Sequence, residues 1–227
     1  MLEIKNLTYS IGEKKILDHI SFSIPENEVT AIVGPNGVGK TTTVQILSNI
    51  IKTENASVKS LNRNKKIVYL DIEYLVFDEL TAQEFLELHS RIHNKNKEEL
   101  EELLNEFEVL NIKEFLPNKL KGLSLGQKQK LIILMGFMSN ADILIFDEPF
   151  NGLDYKSEMN FKELLRKNKF NFTIIITTHN FHDIERYTKQ CIVMEDSKTI
   201  KQITKINTQS YKKNIFQYLG LEQEQYR

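Results

Sequence analysis

Residues 34–41 read Gly34-Pro35-Asn36-Gly37-Val38-Gly39-Lys40-Thr41, and this stretch decides the fold. It matches the pattern G-x-x-x-x-G-K-[ST], whose glycines let backbone N–H groups point inward and cradle phosphate oxygens. The apolar run 30–33 precedes it and the apolar segment 44–47 follows it, which gives the strand–loop–helix order that the pattern requires. We therefore predict a phosphate-binding loop in which Lys40 reaches the β- and γ-phosphates and Thr41 offers a hydroxyl to Mg²⁺.

Length and composition are those of an ordinary globular chain. The 227 residues are 41% hydrophobic and 27% charged, which excludes a disordered or fibrous protein. The single cysteine, Cys191, excludes an intrachain disulfide and fits a reducing compartment. No apolar run approaches the roughly 18 residues that a membrane helix needs. We expect a cytoplasmic chain that meets a membrane only through partner subunits.

The charges are balanced, because 30 Lys and Arg stand against 31 Asp and Glu. The lysines are spread along the chain and matched by acids, so they create no net basic field. The sequence therefore predicts that nucleic acid is not a partner.

Polar side chains follow two further apolar runs that read as buried strands. The run 143–146 ends in Asp147 and Glu148, and the run 173–176 leads to His179. Strands that alternate with helices form a parallel sheet, and ligands lie outside the carboxyl ends of its strands. We therefore expect these side chains to meet the phosphate loop. Asp147 would hold Mg²⁺ and Glu148 would polarise a water, while His179 contacts the γ-phosphate or orients that water.

A helical segment separates the two α/β parts of the chain. Thr81 and Glu84 form a capping-box pattern, and Leu100, Leu104 and Phe107 repeat at helical spacing. We expect one domain over 1–227, in which residues 1–74 and 123–227 form the α/β core with a β subdomain. Residues 75–122 form the helical subdomain, and 210–219 a short tail helix.

The sequence Leu123-Ser124-Leu125-Gly126-Gln127 opens the helix that leads toward Asp147. Ser124 is a favourable helix N-cap, which is a purely structural interpretation. A helix N-terminus with a serine hydroxyl and a bare glycine backbone also binds anions. Both interpretations are open from the residues alone.

Together, these motifs resemble the ATPase subunits of ATP-binding cassette (ABC) transporters over nearly the whole chain. The resemblance rests on a Walker A motif at GPNGVGKTT, Walker B at ILIFDEP, the signature at LSLGQ, a D-loop at Asn151-Gly152-Leu153-Asp154 and a switch histidine in TTHN. Five motifs that follow one another along the chain in the family's order are highly specific, whereas Walker A alone indicates only a P-loop NTPase.

The resemblance implies a fold, a reaction and a set of site residues. The fold is the α/β P-loop NTPase fold of ABC ATPases, with a mostly parallel sheet core, an antiparallel N-terminal β subdomain and a helical insertion. The reaction is hydrolysis of ATP with Mg²⁺. The implied catalytic residues are Glu148, His179 and Lys40, and the metal ligands are Thr41 and Asp147. The implied ATP contacts are Gly34, Pro35, Asn36, Gly37, Val38, Gly39, Lys40, Thr41, Thr42, Tyr9, Ser124, Gly126, Gln127 and Asp154.

The resemblance also implies partners. Two cassettes form a head-to-tail dimer, either of identical chains or with a related ATPase subunit, and each ATP lies between Walker A of one and the signature of the other. Ser124 and Gly126 then bind the partner's γ-phosphate. Hydrolysis releases the dimer, which drives transmembrane permease subunits, so the chain is placed peripherally at the inner face of the cell membrane.

Two departures from the family pattern concern the metal and the adenine. The family glutamine before the helical insertion aligns with Ile72, which cannot ligate a metal, and Glu73 and Asp71 are the possible replacements. The aromatic residue that stacks on adenine aligns with Ile11. Tyr9, two residues earlier on the same strand face, is the candidate substitute. In the signature, Leu125 replaces a glycine.

Three functions fit the sequence. The run 77–81, with Glu84, Phe85 and Leu86 after it, resembles ATPases of drug, peptide or lipid exporters, so export is our first hypothesis. The second is an ABC-type ATPase that is not tied to transport, although such proteins usually carry two cassettes or a long coiled-coil insertion. The third is a nucleotide sensor with weak hydrolysis, suggested by Ile72.

Overall fold

The computed structural model describes residues 1–53, 57–60, 65–167, 172–180, 183–204 and 217. In chain order its elements are β1 (Leu2–Ile11), β2 (Lys14–Ile24), β3 (Val29–Val33), α1 (Lys40–Leu47), β4 (Ser57–Ser60), β5 (Ile67–Leu70), α2 (Ala82–Ile92), α3 (Lys97–Glu106), α4 (Leu125–Met138), β6 (Ile143–Asp147), α5 (Tyr155–Lys167), β7 (Thr173–Thr178), α6 (Ile184–Tyr187), β8 (Gln190–Met194) and β9 (Ile200–Thr204). Short 3-10 helices lie at Ile72–Tyr74, Glu108–Leu110, Ile112–Phe115 and Leu120–Gly122.

A six-stranded sheet with the order β5-β6-β7-β3-β8-β9 carries the phosphate loop. Its strands pair in parallel except β9, which pairs antiparallel with β8. Every residue of β3, β7 and β8 is buried, because helices or the second sheet cover both faces. The carboxyl ends of β3, β6 and β7 consequently meet at one edge, as the sequence predicts.

A second sheet, of order β2-β1-β4, is antiparallel throughout and confirms the predicted N-terminal β subdomain. Successive residues of β6 point to opposite faces of the six-stranded sheet. Ile145 therefore belongs to the apolar cluster shared with Leu7 and Leu17 of the β subdomain. Phe146 belongs to the cluster shared with the helices. The predicted fold class is thus confirmed.

The segment 75–122 contains α2, α3 and 3-10 helices. Capping boxes begin both α-helices, at Thr81 and at Asn96, and Phe107 is fully buried against the core. The boundaries predicted for this subdomain stay a prediction. The predicted tail helix, 210–219, lies outside the described residues except for residue 217. Among the described residues, every helix falls short of the length and apolar character that a bilayer crossing demands.

His89 and His93 lie side by side on α2, with ring centroids 4.5 Å apart. His89 Nε2 lies 3.2 Å from the Met135 carbonyl oxygen, so the ring packs against α4. Burial, aided by the neighbouring His93, lowers the pKa of His89 to about 4.

This shifted pKa predicts an acid-dependent loss of stability. An unfolded histidine takes up its proton near pH 6.5, whereas folded His89 stays neutral until about pH 4. The unfolded state therefore binds more protons in this window, and the free energy of unfolding falls as the pH drops through it. His89→Gln keeps an N–H donor for Met135 and should show a shallower fall in urea denaturation at successive pH values. Equal slopes for the two chains would exclude His89 as the cause.

Candidate functional site

The phosphate loop joins the end of β3 to the start of α1. Gly39, the residue before α1, has a φ of 107°, and a Cβ there would lie 2.7 Å from the Leu17 side chain. Backbone conformation and packing therefore both require glycine. The first turn of α1 begins at Lys40, so its backbone N–H groups face the loop. An anion is favoured at this end of a helix.

The Lys40 ammonium group lies across this loop and is almost completely buried. Its Nζ donates to the carbonyl oxygens of Gly34 at 3.0 Å and Pro35 at 3.2 Å. The same nitrogen lies 3.6 Å from Glu148 Oε1. The structure therefore brings together the predicted phosphate-binding cation and the predicted base.

A cavity of about 280 Å³ opens at this point. It is lined by Ile16, Asn36, Gly37, Gly39, Lys40, Thr41, Thr42 and Glu148. All of these residues except Ile16 were expected from the motifs. Val38 is buried in the core, so its contribution to the loop is through the backbone.

Glu148 is held in a strained conformation beside His179. Its φ is 47°, which is unfavourable for a residue with a side chain. The conformation is fixed because the Glu148 N–H donates to the Thr177 carbonyl oxygen at 3.2 Å and lies 3.0 Å from Thr177 Oγ1. The carboxylate Oε2 lies 3.0 Å from His179 Nδ1. One Glu148 oxygen thus faces Lys40 and the other faces the switch histidine.

Asp147 ends β6, and hydroxyl groups hold both of its carboxylate oxygens. The Tyr69 hydroxyl donates to Oδ2 at 2.9 Å, and Thr177 Oγ1 donates to Oδ1. Burial and the adjacent Asp147 charge raise the pKa of Tyr69, so the phenol remains a donor. Hydroxyl and carboxylate oxygens are the ligands that Mg²⁺ prefers, so Asp147 and the exposed Thr41 fit that ion.

The signature segment forms the N-terminus of α4. The Gln127 N–H donates to Ser124 Oγ at 3.2 Å, and the Ser124 N–H donates to Gln127 Oε1 at 2.9 Å. The helix therefore begins at Leu125, and the capping interpretation of Ser124 is confirmed. The anion-binding interpretation is compatible with it, because a hydroxyl that accepts one bond still has its own O–H to donate.

The signature packs directly on the D-loop. A Cβ on Gly126 would lie 2.4 Å from the Gly152 carbonyl oxygen, so only glycine fits. Leu125 extends over Gly152 and is 55% exposed, which shows how the fold accommodates leucine at this position. Asp154 accepts from the Ser157 N–H at 2.9 Å and from its hydroxyl at 2.6 Å. These bonds lower the pKa of Asp154.

Seven of the predicted ATP contacts do not line the cavity beside Lys40, namely Gly34, Pro35, Val38, Ser124, Gly126, Gln127 and Asp154. Tyr9 does not line it either. It lies on β1, paired with Leu17 and packed against the β-subdomain core, so its contact with adenine stays a prediction. Sequence reasoning missed Ile16, since an apolar residue in a strand carries no signal of its own.

Because of the close contact at Gly126, we expect one added methyl group there to lower ATP turnover strongly. Gly126→Ala places a Cβ against the Gly152 carbonyl oxygen, so the signature and the D-loop must separate. We expect ATP turnover to fall by about tenfold or more, because small displacements in a site are costly. Gly122→Ala is the matched control, since a Cβ there meets nothing within 4 Å. Equal turnover of the two variants in a phosphate-release assay would contradict the role of this contact.

Comparison with known proteins places the chain in a family. A family model described as ABC transporter matches residues 17–151. The chain belongs to this family of ABC transporter ATP-binding proteins, and it is an ATPase.

Curated relatives cover most of the chain. An uncharacterized ABC transporter ATP-binding protein of Methanocaldococcus jannaschii is 33% identical over 201 residues, covering 88% of this chain and 76% of the relative. A probable metal transport system ATP-binding protein of Thermotoga maritima is 37% identical over 198 residues, covering 84% of this chain and 78% of the relative. The zinc import ATP-binding protein of Rickettsia prowazekii is 29% identical over 199 residues, covering 86% of this chain and 82% of the relative.

A solved structure has the same architecture. The dimeric structure of a bacterial ABC transporter cassette is 26% identical, with a TM-score of 0.74, and the match covers 90% of this chain and 98% of that one. The fold and the family membership are therefore consistent with each other.

Proposed function

We propose that this ATPase subunit of a transporter works as a head-to-tail dimer, in which ATP binds between Walker A of one cassette and the signature of the other. The observation that carries the proposal is the division of the site within one chain. Lys40 and Glu148 line one cavity, while Ser124 and Gly126 lie outside it. A second cassette supplies the missing half. The partner is another copy of this chain or a related ATPase subunit.

The residues at the cavity have distinct tasks. Lys40 binds the β- and γ-phosphates, after its ammonium group leaves the loop carbonyls that it contacts at 3.0 and 3.2 Å. Glu148 accepts a proton from the attacking water, and His179 orients the Glu148 carboxylate from 3.0 Å. Thr41 and Asp147 would hold Mg²⁺, which neutralises developing charge on the phosphates.

The helical subdomain, 75–122, is proposed to contact the permease. It carries exposed apolar side chains at its start, where Val76 is 68% exposed and Phe77 is 50% exposed. Such side chains favour contact with a protein partner. Through this contact the chain would sit peripherally at the inner face of the membrane.

The direction of transport is predicted from the sequence as export. The named relatives carry the descriptions metal transport and zinc import, so a zinc or other metal cargo is the competing prediction. Purification of the tagged chain with its permease, followed by transport into or out of proteoliposomes, tests the direction. ATP-driven movement of Zn²⁺ toward the side that carries the ATPase would contradict export.

A second candidate function is that of a nucleotide sensor with weak hydrolysis, and the presence of Ile72 favours it. Ile72 starts a 3-10 helix and packs against the core, so it supplies no metal ligand. The contact between Glu148 and His179 instead supports hydrolysis.

The dimer model is tested by the dependence of turnover on protein concentration. If two chains build each site, ATP turnover per chain rises with concentration until the dimer is fully formed. Light scattering in parallel reports the association state. Constant turnover per chain in samples that remain monomeric would contradict the proposal.

A further inference from the structure

The Tyr69 hydroxyl lies between two carboxylates. It is 2.9 Å from Asp147 Oδ2 and 3.2 Å from Asp71 Oδ2, and the Tyr69 side chain is 8% exposed. The contact to Asp147 joins residues 78 positions apart, because β5 and β6 are neighbouring parallel strands. Tyr69 is therefore fixed by the sheet beside the proposed magnesium ligand.

A phenol has one proton and can donate it to only one carboxylate at a time. Asp147 is oriented through its other oxygen by Thr177. Asp71 accepts from the Glu73 N–H at 3.1 Å and caps the 3-10 helix Ile72–Tyr74, which leads into the helical subdomain. The hydroxyl thus connects the carboxylate at the site to the turn where the helical part begins.

We propose that Tyr69 is a positioning residue that orients the Asp147 carboxylate for Mg²⁺ and links it, through Asp71, to the Ile72–Tyr74 turn. The proposal rests on the function proposed above. Ile72 has no oxygen or nitrogen in its side chain to make this connection. The Tyr69 hydroxyl, on the preceding strand, supplies a polar contact between the two parts.

Removing the hydroxyl separates positioning from packing. Tyr69→Phe keeps the buried ring, but it leaves Asp147 and Asp71 without their shared donor. The loss of a hydrogen bond to a charged group predicts that about tenfold more Mg²⁺ is needed to support ATP binding. ATP affinity in the presence of excess chelator should not change, since Tyr69 does not line the cavity beside Lys40.

The experiment uses the Glu148→Gln chain as the parent, so that binding is measured without turnover. Fluorescent ATP binding is titrated with Mg²⁺ for the parent, for the parent with Tyr69→Phe and for the parent with Tyr155→Phe. Tyr155 is 79% exposed, and its hydroxyl is the matched control. The Glu73 N–H donates a hydrogen bond to Asp71. Its hydrogen exchange is followed in the same samples and should become faster in Tyr69→Phe.

The outcomes distinguish the two levels of the proposal. A higher Mg²⁺ requirement and faster Glu73 exchange in Tyr69→Phe alone support the role of Tyr69. The same Mg²⁺ requirement in all three chains overturns it and leaves the proposed function intact. A parent chain that binds no ATP at any Mg²⁺ concentration overturns the proposed function as well.

Discussion

Glu148→Gln is expected to lower ATP turnover by about 100-fold or more, while ATP binding is retained and an ATP-bound dimer accumulates. The amide has nearly the shape of the carboxylate, but it cannot accept the proton of the attacking water. In the structure, the two carboxylate oxygens face Lys40 at 3.6 Å and His179 at 3.0 Å. The site is therefore preserved in shape and loses its base.

Turnover and association are measured together for this variant. Phosphate release gives the rate, and size-exclusion chromatography with light scattering and ATP gives the mass. Glu102→Gln is the control, because Glu102 is an exposed carboxylate on α3. Turnover of Glu148→Gln equal to that of the control would remove Glu148 from its role as base.

Lys40→Met is expected to bind ATP weakly, so its defect precedes the hydrolysis step that Glu148→Gln affects. The Lys40 side chain is 6% exposed and lines the cavity of the phosphate loop. Methionine keeps much of the chain length but has no donor for phosphate oxygens. Hydrogen bonds to charged groups contribute about 1.5–3 kcal/mol, so we expect the dissociation constant for ATP to rise about 10- to 100-fold.

Calorimetric titration with ATP measures this affinity. The control is Lys113→Met, since Lys113 is an exposed lysine of the helical subdomain that contacts Asn105 and Glu101. Similar ATP affinity in Lys40→Met and in this control would show that the loop binds phosphate without the ammonium group. Together with Glu148→Gln, the result assigns binding and cleavage to different side chains.

Local features of the site could be predicted from the sequence because short stretches determine them. The loop 34–41 needs glycines at fixed spacing, and the turn before α1 has the left-handed φ that Gly39 permits. Capping boxes likewise depend on residues three positions apart, and both Thr81 and Ser124 form them. The apolar runs of β3 and β6 were recognisable as strands buried on both faces.

Features that depend on distant contacts could not be predicted. Ile16 lines the cavity because β2 runs beside Gly39, and its own sequence neighbourhood gives no sign of this. The strand β4 has a mostly polar sequence and forms because it pairs with β1. The strand β9 likewise forms because it pairs with β8. The contact of Tyr69 with Asp147 requires knowledge that β5 and β6 are adjacent.

The central claim, that each ATP site is built from two chains, is tested most directly by mixing two inactive variants. Lys40→Met removes the phosphate contact of Walker A, and Ser124→Arg blocks the signature. In a mixed head-to-tail dimer, both defects fall in one site and the other site is intact. We expect ATP turnover of the mixture to rise well above that of either variant alone. Turnover that stays at the level of the separate variants, although light scattering shows mixed dimers, would contradict the shared site.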